Sequence, residues 1–245
     1  MQQVIHLGDI HGSFEWLKRE VDRRQIGNND ETAYIIQVGD FGIGFNPKSD
    51  EDTLLNLNNF FKERNIILIA IRGNHDDPQF FKGNHIYSNL QLVPDYTVMD
   101  IYDNKYLFVG GAVSIDRKYR LSQDQKAAGY GSSRKSYWFD ELFYYDEEKL
   151  NNIFGINIVV THTAPEWCHP DNRKGFGYFV DEFAYHDEEL YSVLDRERAD
   201  VTKMFKHLEQ NGCWIKEHYY GHFHSSHISM NGYCNHYLLN INEFR

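Results

Sequence analysis

The chain has 245 residues and a formal charge of −11, long enough to bury a substantial core and too negative for broad nucleic-acid binding, which needs a basic face. No apolar run reaches the roughly 18 residues that a membrane-spanning helix requires, and three scattered cysteines, Cys168, Cys213 and Cys234, are too few for a disulfide framework. With no basic stretch or cleavage pattern ahead of Val4-Ile5-His6-Leu7, the expected location is the cytoplasm, with the thiols reduced.

Val4–Leu7 reads as a short strand, followed by the loop Gly8-Asp9-Ile10-His11-Gly12. Ser13 then stands where it can cap a helix carrying Phe14, Leu17 and Val21 on one face and stopping near Gly27-Asn28. Tyr34–Val38 is the next strand and ends in Gly39-Asp40-Phe41-Gly42; Ser49 and Asp52 resemble a capping box for a helix with Leu54, Leu57 and Phe61 inward. The unbroken apolar run Ile66–Ile71 predicts a strand buried on both faces, and Arg72-Gly73-Asn74-His75-Asp76 follows it. Strands and helices alternating at this spacing predict βαβ units and a mostly parallel sheet.

Past residue 90 the pattern changes. Val98–Ile101 and Tyr106–Val109 flank Asp103-Asn104 as a hairpin. Residues 114–140, polar, Gly/Ser-containing and aromatic, are expected to form a loop or lid inserted in a single domain spanning 1–245. Ile156–Val160 is a further buried strand closing in Thr161-His162. A long helix is expected from Asp187 to Gln210, with Asp187, Glu188 and Glu189 at its positive end and Asn211-Gly212 terminating it. Tyr219-Tyr220 lead into Gly221-His222-Phe223-His224, and strand-like runs at His227–Met230 and Tyr237–Ile241 finish the chain.

Each strand-like run that ends in a loop thus delivers Asp, Asn or His: Asp9 and His11, Asp40, Asn74 and His75, His162, and His222 and His224. The ends of parallel strands face one crevice in an open α/β sheet, so these distant residues can converge. A set of carboxylates, one amide and imidazoles suits Mn, Fe, Zn or similar ions, whereas a structural zinc module would show cysteine ligands. Any one motif is weak by itself; the ordered series carries the weight.

That series closely resembles the calcineurin-like metallophosphoesterase family, in small bacterial or phage-type form, from Gly8 to His224. The resemblance implies an α/β fold with α+β character, a β-sandwich of two mixed sheets flanked by helices. It implies one metal held by Asp9, His11, Asp40 and His224, and a second held by Asp40, Asn74, His162 and His222. His75 would be the catalytic acid, and Asp76, completing the Gly-Asn-His-Asp motif, would orient it. The cofactor expected is a pair of divalent or trivalent ions, manganese foremost, with iron, zinc, nickel or magnesium as alternatives. Two such ions about 3.5–4 Å apart lower the pKa of a bridging water and clamp the attacking and leaving oxygens. Their charge also makes a local phosphate site on a negative protein.

Gly8-Asp9-Ile10-His11-Gly12 and Arg72-Gly73-Asn74-His75 resemble the protein serine/threonine phosphatase branch, which has Asp-Arg-Gly where this chain reads Phe41-Gly42-Ile43-Gly44. The branch's phosphate-gripping arginine is missing there, and Thr161-His162 replaces Gly-His. Arg117 and Arg120 are the candidate substitutes as bidentate forks, against a basic turn or an Asp116 salt bridge, and Arg72 is a candidate for steering phosphate, against a structural salt bridge. Tyr130, Tyr137 and Trp138 either stack on a leaving group or pack beneath the loop; His169 is read as a surface or outer histidine and His6 as core. The expected activity is a phosphatase acting on phosphoprotein or small phosphorylated metabolites. Its alternatives are a diesterase, nuclease or dinucleotide hydrolase, and a silent metal-dependent scaffold.

Overall fold

A computed structural model describes residues 2–28, 30–85, 87–133, 135–170 and 178–245. Its first half is a run of βαβ units: β1 (Val4–Leu7), α1 (Phe14–Arg23), β2 (Ala33–Gln37), α2 (Pro47–Glu63), β3 (Ile66–Ala70) and, after a 3-10 turn at Pro78–Phe81, β4 (Leu90–Leu92). These strands form a four-stranded sheet in sequence order, parallel throughout. The second half contributes β5 (Thr97–Ile101), β6 (Asn104–Val109), α3 (Arg117–Gly129), α4 (Glu147–Leu150), β7 (Ile158–Thr161), α5 (Tyr178–Ala184), α6 (Leu190–Gln210), β8 (Glu217–Tyr220), β9 (His227–Asn231) and β10 (Cys234–Leu238). They make a six-stranded sheet ordered β5-β6-β7-β8-β10-β9, parallel in the middle and antiparallel at both edges.

The two sheets stack face to face with helices outside. Alternate residues of β3 show why the run there is unbroken: Ile66, Leu68 and Ala70 face Leu17, Val21, Leu54, Leu57 and Phe61 of α1 and α2. Ile69 and Ile71 face Phe108, Ile158, Val160 and Tyr219 of the opposite sheet. A period of two with both faces covered leaves no solvent position for a polar residue. The outer face of the second sheet, Leu107, Val109 and Val159, is covered by Val201, Phe205 and Leu208 of α6. Burying one such side chain contributes about 1.5–3 kcal/mol.

The expected α/β sandwich flanked by helices stands, with the refinement that only one sheet is mixed. Several local expectations change. Helix α1 ends at Arg23, ahead of Gly27, because Gln25 turns left-handed at φ 56°. Helix α2 opens at Asn46, where Asp50, not a Ser49–Asp52 box, accepts the N–H groups of Gly44 and Asn46. Segment 114–140 is not an open lid: it contains α3, anchored by Asp124, whose carboxylate takes the N–H groups of Ser136 and Tyr137. Tyr137 and Trp138 pack in the interior, and Tyr130 lies in solvent. The last strand falls at Cys234–Leu238, earlier than expected, with Leu238 in register with Tyr220 of β8. His6 is core as read, stacked on Tyr219.

Candidate metal centre

Parallel strands β1, β2, β3, β7 and β8 all deliver their C-terminal loops to one edge of the sandwich, so Asp9, Asp40, Asn74, His162 and His222 meet there despite their spread along the chain. The backbone at this edge is unusual. His11, Asp40, His222 and His224 all take left-handed φ values, 44°, 54°, 70° and 46°, a conformation that costs a non-glycine residue free energy and clusters at functional sites. Two glycines make room for the carboxylates: a Cβ on Gly73 would overlap the Asp40 carboxylate, and one on Gly221 would overlap that of Asp9.

Asp9 and Asp40 are buried. Asp9 accepts the His222 N–H at 3.0 Å and lies 3.4 Å from His224 Nε2. Asp40 Oδ1 accepts the His75 N–H at 2.7 Å and sits 3.2 Å from His162 Nε2, while its Oδ2 is 3.7 Å from His11 Nε2. His11 and His224 approach each other at 3.1 Å between their Nε2 atoms. Ligand atoms of Asp9, His11, Asp40 and His224 all fall within 4.8 Å of one another. On the other side of Asp40, Asn74 Oδ1 is 3.1 Å from His162 Nε2, and the His162 and His222 rings lie 5.1 Å apart.

Second contacts fix which atoms point inward. His162 Nδ1 lies 2.8 Å from the Val38 carbonyl, which can only accept, so Nδ1 carries the proton and Nε2 presents a lone pair. Asn74 Nδ2 donates to Ser114 Oγ at 3.0 Å, which turns Oδ1 toward the site. An imidazole lone pair, an amide oxygen and a carboxylate oxygen therefore face one another. That arrangement repels itself unless a proton or a cation lies between them. Burial lowers the pKa of His162, yet the carboxylates of Asp40 and Asp9 and the Val38 carbonyl together outweigh it and raise the value to about 9. The donor set thus fits a hard or borderline divalent ion, with oxygen and imidazole ligands and no thiolate.

A cavity of about 460 Å³ opens over this cluster. Asp40, Asn74, His75, His222 and His224 lie on its polar side, and Ile115, Asp116, Val180, Phe183 and Phe223 complete the lining. The His75 ring stands 5.2 Å from that of His11, and burial holds its pKa below the usual histidine value. The apolar wall escaped sequence reading, because Val180 and Phe183 on a helix look the same whether they face a core or a cavity.

Three expectations about substrate contacts do not hold. Arg72 is buried and spends all five donors internally, on Asp95 at 2.7 and 3.0 Å and on the carbonyls of Asp140, Glu141 and Leu142. Arg117 forms a fork with Asp187 at 2.5 and 3.0 Å, tying α3 to the start of α6. Arg120 is buried against the Asn74 carbonyl, the Ser114 hydroxyl and the Ser136 carbonyl. Desolvated guanidinium groups need partners, and these took protein ones. Asp76 does not reach the His75 ring; its carboxylate accepts N–H groups of Gly73 and Gly42 at 2.7 Å, Phe41 at 3.0 Å and Ile43 at 3.2 Å. It holds the Asp40 loop to the Asn74 loop. The missed contributor is Ser114, whose hydroxyl orients Asn74; no local pattern marks such a contact.

Residues 3–226 match the family model described as calcineurin-like phosphoesterase. The chain belongs to that family. It is accordingly a metal-dependent phosphoester hydrolase. No curated protein matches the phosphoesterase significantly. Among solved structures it is similar to a conserved protein of Streptococcus pneumoniae described as a predicted phosphoesterase, at 14% identity and a TM-score of 0.33, over 97% of this chain and 71% of that one. It is also similar to the phosphopantetheinyl hydrolase of Mycobacterium tuberculosis, at 11% identity and a TM-score of 0.49, over 98% and 90%. A third is GAP50, the anchor in the inner membrane complex of Plasmodium, at 13% identity and a TM-score of 0.41, over 97% and 70%. Membership rests on the family match, not on these likenesses. Among the described residues no helix is long and apolar enough to cross a membrane.

Proposed function

We propose that this phosphoesterase removes phosphate from a small phosphorylated molecule, at a centre where Asp9, His11, Asp40 and His224 hold one metal ion and Asp40, Asn74, His162 and His222 a second. The observation that carries this reading is Asp40, whose Oδ1 and Oδ2 point into two different groups of inward-facing lone pairs. Bound ions would supply Lewis acidity and a strong nucleophile near neutral pH. The chain's own residues do the rest. Asp76 locks the two loops that set Asp40 and Asn74, and Ser114 keeps the amide oxygen of Asn74 inward. His75, on the cavity side, holds the proton that passes to the leaving ester oxygen. A cavity of about 460 Å³ has the volume of a small-molecule site, which favours a metabolite-sized ester over a phosphoprotein. Manganese is the first ion to try. A cytoplasmic setting accords with the free thiols of Cys168, Cys213 and Cys234.

A diesterase is the second reading, favoured by one observation: the arginines that would grip a terminal phosphate dianion, Arg72, Arg117 and Arg120, are tied up inside the protein. Manganese-reconstituted enzyme assayed on mono-aryl and bis-aryl phosphates separates the two. The monoester is expected to turn over faster; hydrolysis of the bis-ester alone overturns the monoesterase reading. His75→Ala should lower kcat about a hundredfold or more.

A further inference from the structure

The cavity has a second side, built from Ile115, Asp116, Val180 and Phe183, which Phe223, between His222 and His224, joins to the metal ligands. Asp116 is the unusual member. It stands at the N-terminal end of α3, yet its side chain makes no capping hydrogen bond there. Among the described residues its one ion-pair partner is Arg120, 4.0 Å away, whose guanidinium is directed to Ser114, Ser136 and the Asn74 carbonyl, and its charge also acts on His75 across the cavity. A carboxylate 30% exposed therefore lines the cavity without a side-chain hydrogen bond from the described residues. No lysine or arginine is among the described residues that line the cavity. A second phosphate or a carboxylate on the substrate would meet this negative group across a partly dry space, where like charges cost most.

Aromatic rings on the same side complete the chemistry. Phe183 and Phe223 are both partly buried and line the cavity beside Asp116. An acidic group next to aromatic faces is the environment that binds an ammonium ion, through charge and through the ring quadrupoles together. Ile115 and Val180 suit the carbon chain that would join such an ammonium to the ester oxygen.

We propose that Asp116 and Phe183 select phosphate esters of amino alcohols, with the cationic end of the leaving alcohol held against them while its ester oxygen lies at the metal centre. This rests on the hydrolase reading above, and the test keeps the two apart. Phosphocholine and its uncharged isostere 3,3-dimethylbutyl phosphate are compared as substrates of metal-reconstituted wild type, Asp116→Asn and Phe183→Leu. Asp116 makes no capping hydrogen bond and asparagine is nearly isosteric with it, so the substitution removes no hydrogen bond of α3. The quantity read is the ratio of kcat/KM for the cationic over the neutral ester, and each ester's intrinsic reactivity cancels when that ratio is compared between proteins. It should fall about tenfold in Asp116→Asn and about threefold in Phe183→Leu. An unchanged ratio in Asp116→Asn overturns the proposal. Thermal-shift titration with phosphocholine needs no turnover. Stabilisation that weakens in Asp116→Asn, with no ester hydrolysed, upholds the site and overturns the hydrolase reading. Equal stabilisation of wild type and Asp116→Asn overturns the site.

Discussion

Two clusters of histidine lie under the second sheet's edge, and they differ in one countable way. At the strand ends, Asp9, His11, Asp40 and His224 converge within 4.8 Å, and so do Cys168, His218 and His236 deeper in the core. In the deep cluster every imidazole lone pair meets a donor. Trp167 Nε1 can only donate, and it donates to His236 Nε2 at 3.3 Å. His236 must then carry its proton on Nδ1, which reaches His218 Nδ1 at 3.0 Å, and His218 Nε2 donates to Thr161 Oγ1 at 2.7 Å. The Thr161 hydroxyl ends the chain on the Thr163 carbonyl. Burial lowers the pKa of both imidazoles and raises that of the Cys168 thiol, so all stay neutral. At the strand ends the same count fails. His162 Nε2, Asn74 Oδ1 and Asp40 Oδ1 face one another, and only a proton on His162 Nε2 or a bound cation can lie between them. Proximity alone does not mark a metal site; a surplus of acceptors does.

The comparison breaks most visibly at Asp40, the one residue facing both groups of ligands. Asp40→Asn, which replaces one carboxylate oxygen by a donor, should cut turnover at least about a thousandfold. Metal content measured by plasma emission should fall with it, and chelation of the wild type should give the same loss, restored by manganese. Full activity in Asp40→Asn would remove the acceptor surplus as the explanation. His218→Phe should do the opposite. It strands the His236 Nδ1 proton and takes away the donor to Thr161 Oγ1, so unfolding free energy should fall by about 2–3 kcal/mol while metal content stays at the wild-type level. Loss of bound metal in that variant would reassign the deep cluster as a ligand site.

Much of the first cluster was legible because its signal is local. Each ligand follows directly on an apolar run, and the order of the runs fixes the edge at which they arrive: Leu7 before Asp9, Ala70 before Asn74, Thr161 before His162. The deep cluster was not legible. His218 and His236 alternate with Glu217, Tyr219 and Tyr237 on their strands, and only the parallel register of β8 with β10 sets them side by side. The arginines failed for a related reason. A sequence shows that Arg72 or Arg117 is a fork, but Asp95 and Asp187, 23 and 70 positions away, decide whether the fork is free. Segment 114–140, polar and long, reads as a loop or lid; α3 carries little apolar periodicity, and Asp124 and Arg120 hold it down by polar contacts that no local pattern marks.

His6 belongs to neither cluster and gives the smallest and sharpest test of donor counting. Its ring stacks on Tyr219 at 3.4 Å between centroids, and its Nε2 has no hydrogen-bond partner among the described residues. Burial, helped by the charge of Arg245, lowers its pKa from 6.5 to about 3. Between those two values the unfolded chain binds a proton that the folded chain refuses. The stability contributed by neutral His6 is therefore present above pH 6.5 and is lost as pH falls toward 3. From pH 7 to pH 5 the loss is about 2 kcal/mol for this one group. In His6→Phe the orphaned nitrogen disappears while a bulkier ring is inserted, so stability at pH 7 should change by less than about 1 kcal/mol. The slope is the informative quantity. Urea unfolding at pH 7, 6 and 5 should show the variant losing about 2 kcal/mol less than wild type. His218 and His236 contribute acid losses of the same sign to both proteins, and Glu141 and Glu197, whose pKa values are raised to about 8 and about 7, contribute the opposite sign to both. The difference between the two curves therefore isolates His6. Parallel curves would mean that this imidazole takes up its proton in the folded protein, and that an unpartnered buried nitrogen is not the cost that the contrast between the two clusters assumes.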